Sequence, residues 1–116
     1  MQYELEDKGR FKMIHIIGNI TSNVNTRVLD EKISELIQEG THNFVFNLER
    51  TTYLDSSGIS IFIHCLCDVQ QNNGSIYIIA EDNQVRDVLN LVGIDRLIKV
   101  YDSEDDFVEA QKVTVA

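Results

Sequence analysis

The chain has 116 residues, 43% of them hydrophobic and 25% charged, with a formal net charge of −9. A chain of this length buries about two thirds of the surface its unfolded form exposes, so one domain spanning residues 1–116 is expected. The acidity works against nucleic acid and anionic membrane surfaces, which both draw on Lys and Arg, and favours a protein partner with a basic face.

Residues 2–7 and 10–17 read as two short strands joined at Lys8-Gly9, with Phe11, Met13 and the run Ile14-His15-Ile16-Ile17 in the second and Gly18 as its end. Residues 23–39 carry Val24, Val28, Leu29, Ile33, Leu36 and Ile37 at helical spacing, with Ser22 or Asn23 as the cap and Gly40 as the stop. Phe44-Val45-Phe46-Asn47-Leu48 is apolar at nearly every position, as in a strand covered on both faces. Residues 57–71 return to helical spacing, with Ile59, Phe62, Ile63, Leu66 and Val69 on one stripe and Asn72-Asn73-Gly74 as the break. A strand over 75–80 follows, and Asp82 or Asn83 caps a short helix with Val85, Val88, Leu89 and Val92, closed by Gly93. Residues 97–101 form a last strand, and Ser103 with Asp106 makes a near capping box before a final helix carrying Phe107, Val108 and Ala110. The order β-β-α-β-α-β-α-β-α predicts an α/β fold: a mixed central sheet of about five strands packed with about four helices.

Between the third strand and the second helix lies Tyr53-Leu54-Asp55-Ser56-Ser57-Gly58-Ile59. Asp55 or Ser56 is placed to cap the helix, and capping alone explains Asp and Ser at such a position. Two features point further. The hinge follows the C-terminal end of a central strand, the edge at which α/β sheets usually meet ligands and partners. Gly58 costs up to ~1 kcal/mol against Ala in a helix, and its missing side chain suits close approach of another molecule to Ser56 and Ser57.

Leu48-Glu49 and Tyr53-Leu54-Asp55-Ser56-Ser57-Gly58-Ile59 resemble the signature of STAS domains, specifically of bacterial anti-sigma factor antagonists. The strand led by Asn73-Gly74, the helix ending in Gly93-Ile94 and the acidic stretch 102–106 are similar to other parts of that family, so the resemblance covers essentially the whole chain. It implies a STAS fold and a partner-switching cycle in which Ser56 is the phosphorylated serine, with Ser57 as the rival acceptor. The implied partners are an ATP-bound anti-sigma factor serine kinase, bound by the unphosphorylated chain, and a serine phosphatase that resets the system. The chain itself would be no enzyme and hold no cofactor. Asp55, Ser57 and Gly58 would belong to the contact surface. The family usually carries Gly-Glu-Leu-Asp between its second strand and first helix. Here Gly18-Asn19-Ile20-Thr21 stands there, so Asn19 and Thr21 replace two carboxylates and would alter which kinase is recognised. The alternative is a STAS adaptor in another assembly, such as a lipid-transport ATPase complex or a stress-sensing complex, not necessarily phosphorylated.

Ile61 and Cys65 fall off the apolar stripe, one turn apart: either the helix is buried on two sides, or Ile61 is an apolar contact for the partner near Ser56. Cys65 and Cys67 point in different directions on a helix and read as small hydrophobes in a reducing compartment rather than as a bridge or metal pair. His15, His42 and His64 stand apart along the chain, and none is marked as a base for Ser56, which also lacks the first glycine of a nucleophile elbow. No metal-ligand spacing appears. No apolar run approaches the ~20 residues of a membrane span, and the start lacks a basic end followed by an apolar stretch, so cytoplasmic location without membrane insertion is expected.

Overall fold

The structure is a computed structural model, and it describes residues 1–22 and 24–115, with the side chains of Val24 and of residues 113–115 excepted. Asn23, one of the two expected caps of the first helix, therefore lies outside the described residues, as does the Val24 side chain.

Strands β1 (Gln2–Lys8) and β2 (Phe11–Ile20) form an antiparallel hairpin, with Lys8 opposite Phe11 across the turn. Helix α1 (Val24–Gln38) leads to β3 (Asn43–Asn47) and β4 (Thr51–Leu54), and α2 (Ser56–Gln71) follows directly. Then come β5 (Ser75–Ile79), α3 (Gln84–Leu91), a 3-10 turn over Ile94–Arg96, β6 (Lys99–Tyr101) and α4 (Glu104–Val115). The sheet runs β1-β2-β3-β5-β6, with β4 attached to the far end of β2. Every pairing except the opening hairpin is parallel.

The sheet thus has six strands rather than about five. The extra one, β4, exists because β2 is longer than its apolar run suggests. Gly18 does not end the strand. It adopts a positive φ of 93°, the register shifts between Gly18 and Asn19, and the ladder resumes with Ile20 beside Leu54. A bulge of this kind redirects a strand without terminating it. The chain leaves β3 in a tight turn, in which the Thr51 N–H donates to the Leu48 carbonyl at 3.0 Å, and rejoins the same edge of β2. Thr51 is buried and its hydroxyl donates to the Ile16 carbonyl at 2.7 Å, so the polar side chain is satisfied where it crosses the sheet.

The larger core lies on the face covered by α1, α2 and α3, and includes Ile14, Ile20, Phe46, Leu54 and Phe62, with the Phe46 and Phe62 rings 5.0 Å apart. The opposite face carries a smaller cluster of Phe11, Met13, Val45, Ile79 and Phe107, the last contributed by α4. Of the expected caps, Asn83 accepts from the Val85 and Arg86 N–H groups, and Ser103 Oγ accepts from Asp106 at 3.1 Å. The last strand starts two residues later than expected because the 3-10 turn takes Leu97 and Ile98 into hydrogen bonds to the Ile94 carbonyl.

Candidate functional site

β2 and β4 lie side by side and parallel, so they end together and release Thr21 and Asp55 at the same edge of the sheet. The Asp55 N–H donates to the Ile20 carbonyl at 3.1 Å, which ties the two strand ends at the point where α2 starts. Asp55 is extended (φ −120°, ψ −162°), and its carboxylate accepts the Ser57 N–H at 2.8 Å. Its carbonyl accepts from the Gly58 and Ile59 N–H groups at 3.1 and 3.3 Å. Asp55 is therefore the N-cap and Ser56 the first residue of the helix. Asp55→Ala is expected to lower stability by roughly 0.5–2 kcal/mol, read by urea unfolding, with Asp55→Asn restoring most of the loss.

Ser56 is exposed, and among the described residues no hydrogen bond engages its hydroxyl; its carbonyl accepts the Ser60 hydroxyl at 2.9 Å. Ser57 is half-buried and turns the other way, into a depression of about 220 Å³ between α1 and α2 that it shares with Arg27, Asp30, Ser60 and His64. His64 Nδ1 stands 3.7 Å from an Asp30 carboxylate oxygen across that seam. Asn19 and Thr21 lie at the same end of the sheet. Asn19 is exposed and accepts from the Thr52 hydroxyl at 2.6 Å, and the Thr21 carbonyl accepts from the Thr26 hydroxyl. The fold thus gathers Asn19, Thr21, Asp55, Ser56 and Ser57 at one edge.

Gly58 and Ile61 are corrections. Gly58 is buried, and a Cβ there would lie 3.1 Å from Ile20 Cγ2 and 3.3 Å from Leu54 Cβ. The missing side chain makes room for the protein's own β2 and β4, not for another molecule. Overpacking a closed site costs about 1–3 kcal/mol, more than the helix-propensity gain of up to ~1 kcal/mol. Gly58→Ala is expected to lower the urea midpoint by an amount worth about 1 kcal/mol, and a stabilised variant would contradict this packing. Ile61 is 3% exposed and Cys65 1%, so both are core residues, and only an edge of Ile61 reaches the floor of the depression beside Ser57. α2 is wedged between the sheet and α1, and its inner face is Gly58, Ile61, Phe62, Cys65 and Val69; Ile59, Ile63 and Leu66 are half-buried beside it.

Sequence reasoning does not place Arg27 and Asp30 beside the serines, because α1 and α2 meet only in tertiary structure, whereas Ser60 and His64 follow Ser57 at i+3 and i+7 on α2, a helical spacing that was signal enough to find them. Burial pushes the Cys65 thiol well above its ordinary range, whereas Cys67 is exposed. His15 pairs with Glu6 at 2.7 Å across the β1–β2 hairpin. Among the described residues no cluster of three or more His, Cys, Asp or Glu groups could hold a metal ion, and no helix is long and apolar enough to cross a membrane.

A family model described as the STAS domain matches residues 2–107. The chain belongs to the STAS domain family. An anti-sigma-B factor antagonist of Staphylococcus epidermidis is 31% identical over 72 residues, 62% of this STAS chain and 67% of that protein. Among solved structures, the anti-sigma factor antagonist SpoIIAA in its unphosphorylated form is similar with a TM-score of 0.75 at 19% identity, covering 95% of this chain and 96% of that one. SpoIIAA of Bacillus in its phosphorylated form is similar with a TM-score of 0.74 at 20% identity, covering 94% and 98%. The STAS domain of a SulP transporter from Vibrio cholerae gives 0.70 at 14% identity, covering 95% and 87%. The mixed α/β architecture with four helices on a six-stranded sheet is the STAS fold.

Proposed function

We propose that this STAS chain is an anti-sigma factor antagonist whose Ser56 is a phosphorylation switch. The observation that carries the reading is the placement of Ser56: an exposed hydroxyl on the first residue of a helix whose cap is already supplied by Asp55. The unphosphorylated chain binds an anti-sigma factor that is itself an ATP-dependent serine kinase, and the sigma factor is released. Transfer of a phosphoryl group to Ser56 ends the complex, and a serine phosphatase restores the hydroxyl. The anti-sigma-B factor antagonist of Staphylococcus epidermidis supports the antagonist half of this reading.

Phosphoserine carries about −1.5 to −2 charges at neutral pH. At a helix N-terminus such charge is favoured by ~0.3–1 kcal/mol when exposed, so the fold tolerates it. Across a contact surface the same charge is desolvated beside the Asp55 carboxylate, where an unpaired ion costs several kcal/mol. Ser57 is the weaker candidate, because it is half-buried and faces the seam between α1 and α2. Asn19 and Thr21 flank Ser56 with neutral hydrogen-bonding groups and tune which kinase is accepted.

A competition assay tests the reading. Added to a purified sigma and anti-sigma factor complex, the chain is expected to release the sigma factor, and preincubation with the anti-sigma factor and ATP is expected to abolish that release. Ser56→Ala is expected to release the sigma factor and to be insensitive to ATP. A Ser56→Ala chain that ATP still inactivates would move the switch elsewhere. The likeness to a SulP transporter STAS domain supports a second reading, an adaptor in another assembly. In that case neither form of the chain would displace a sigma factor.

A further inference from the structure

We infer that the groove between Tyr53 and α3 is the apolar anchor site of the anti-sigma factor, and that it accepts an aromatic or aliphatic knob flanked by Lys or Arg. This rests on the antagonist reading above and extends it to a surface that the serine switch does not use.

A specific interface buries about 800 Å² on each side and needs a desolvated apolar centre. The head of α2 cannot supply that centre. Asp55, Ser56, Ser57 and Ser60 are polar, and the apolar residues of its first two turns, Ile61 and Phe62 among them, are spent on the core or half-buried. A large exposed apolar side chain close to Ser56 in the chain is Tyr53, half-exposed on β4. It stands three residues before Ser56, at most about 11 Å away along the chain. Any partner that covers Ser56 with a standard footprint covers Tyr53 as well.

Tyr53 forms one wall of a groove of about 320 Å³, and α3 forms the other through Gln84, Asp87 and Val88. These positions extend at helical spacing to Leu91, the next member of the same stripe. Leu91 is 86% exposed, so a leucine continues the apolar line of the groove with nothing on it. Tyrosine is among the residue types that carry most binding energy at interfaces. Charge indicates the rim of the occupant. Asp87 lies in the groove wall, Glu81 and Asp82 directly precede the helix and are exposed, and the whole chain has a net charge of −9. Complementary potential requires basic groups around the knob.

Photocrosslinking with the full chain tests this. A benzoylphenylalanine is placed at position 53, at position 60 or at position 112 on α4, and each chain is irradiated with the purified anti-sigma factor of the same cell. Adducts to the anti-sigma factor from positions 53 and 60, none from 112, and loss of both adducts in a Ser56→Asp background are the expected result. An adduct from position 60 without one from 53 would overturn the groove and leave the Ser56 switch standing. Absence of both adducts would overturn the antagonist reading as well. An adduct of position 53 to a second copy of this chain would assign the groove to self-association and overturn the inference. Affinity provides the independent arm: Tyr53→Ala and Leu91→Glu are each expected to weaken binding by about 30-fold or more with unchanged unfolding midpoints. Losses below about threefold in both variants would overturn the groove even if the crosslinks form.

Discussion

Ser56→Asp is expected to weaken binding to the anti-sigma factor by about 100-fold or more and to change folding stability by less than about 1 kcal/mol. The two numbers differ because the same charge meets two environments. In the free chain it sits in water at the positive end of the α2 dipole, which favours it by ~0.3–1 kcal/mol, partly offset by repulsion from the Asp55 carboxylate. The Ser57 N–H, the nearest donor, is already committed to Asp55 at 2.8 Å, and the first turn, Ser56-Ser57-Gly58-Ile59, holds no Lys or Arg to pair with a new anion. When a partner excludes water from that spot, the charge loses hydration beside the Asp55 carboxylate. A penalty of about 3 kcal/mol suffices for a hundredfold loss, since each 1.4 kcal/mol is tenfold. Isothermal titration calorimetry and urea unfolding on the same preparation measure the two quantities. A Ser56→Asp chain that loses stability in proportion to affinity would mean that the residue props up the helix and does not switch a surface.

The second large effect belongs to Gly74. A Cβ built there falls 1.9 Å from the His42 carbonyl oxygen, a backbone atom with no rotamer to yield. Three constraints meet at this residue. The Gly74 N–H closes α2 by donating to the Val69 carbonyl at 2.7 Å, while Asn73, in the left-handed region at φ 55°, donates to Gln70. That pair of bonds is the Schellman closure of a helix. Ser75 then donates to the same His42 carbonyl at 3.0 Å, which starts the parallel ladder between β3 and β5. Gly74→Ala must therefore displace the end of α2 or the start of the central pairing. The expected loss is about 3 kcal/mol or more, at the upper end of what overpacking costs, because backbone rather than a side chain has to move. The urea midpoint would fall accordingly. A loss under about 1 kcal/mol would show that the loop at His42 gives way easily.

Local chemistry was legible in the sequence. The caps are short-range devices, read from residue type and the apolar spacing that follows: Ser103 singly, and Asp55 and Asn83 each as one of a pair with Ser56 and Asp82. What was not legible depended on contacts between distant segments. β4 is only Thr51-Thr52-Tyr53-Leu54, too short for a periodic signal, and it forms because a bulge carries β2 past Gly18 to meet it. The inner face of α2 is rotated from the Ile59, Ile63 and Leu66 side toward Ile61 and Cys65, because the helix is apolar on two sides and only the position of α1 decides between them. The same packing reassigns Gly58 from the contact surface to the core. Arg27 and Asp30 reach the serines for that reason too, and no pattern within α1 announces it.

The account depends most on the chemical fate of one hydroxyl. The decisive measurement is tandem mass spectrometry of the chain after incubation with its purified anti-sigma factor and ATP. One added phosphoryl group, mapped to Ser56 and absent from Ser56→Ala, is the predicted result. Phosphate mapped to Ser57 or elsewhere, or a chain that binds the anti-sigma factor and is never modified, would contradict it.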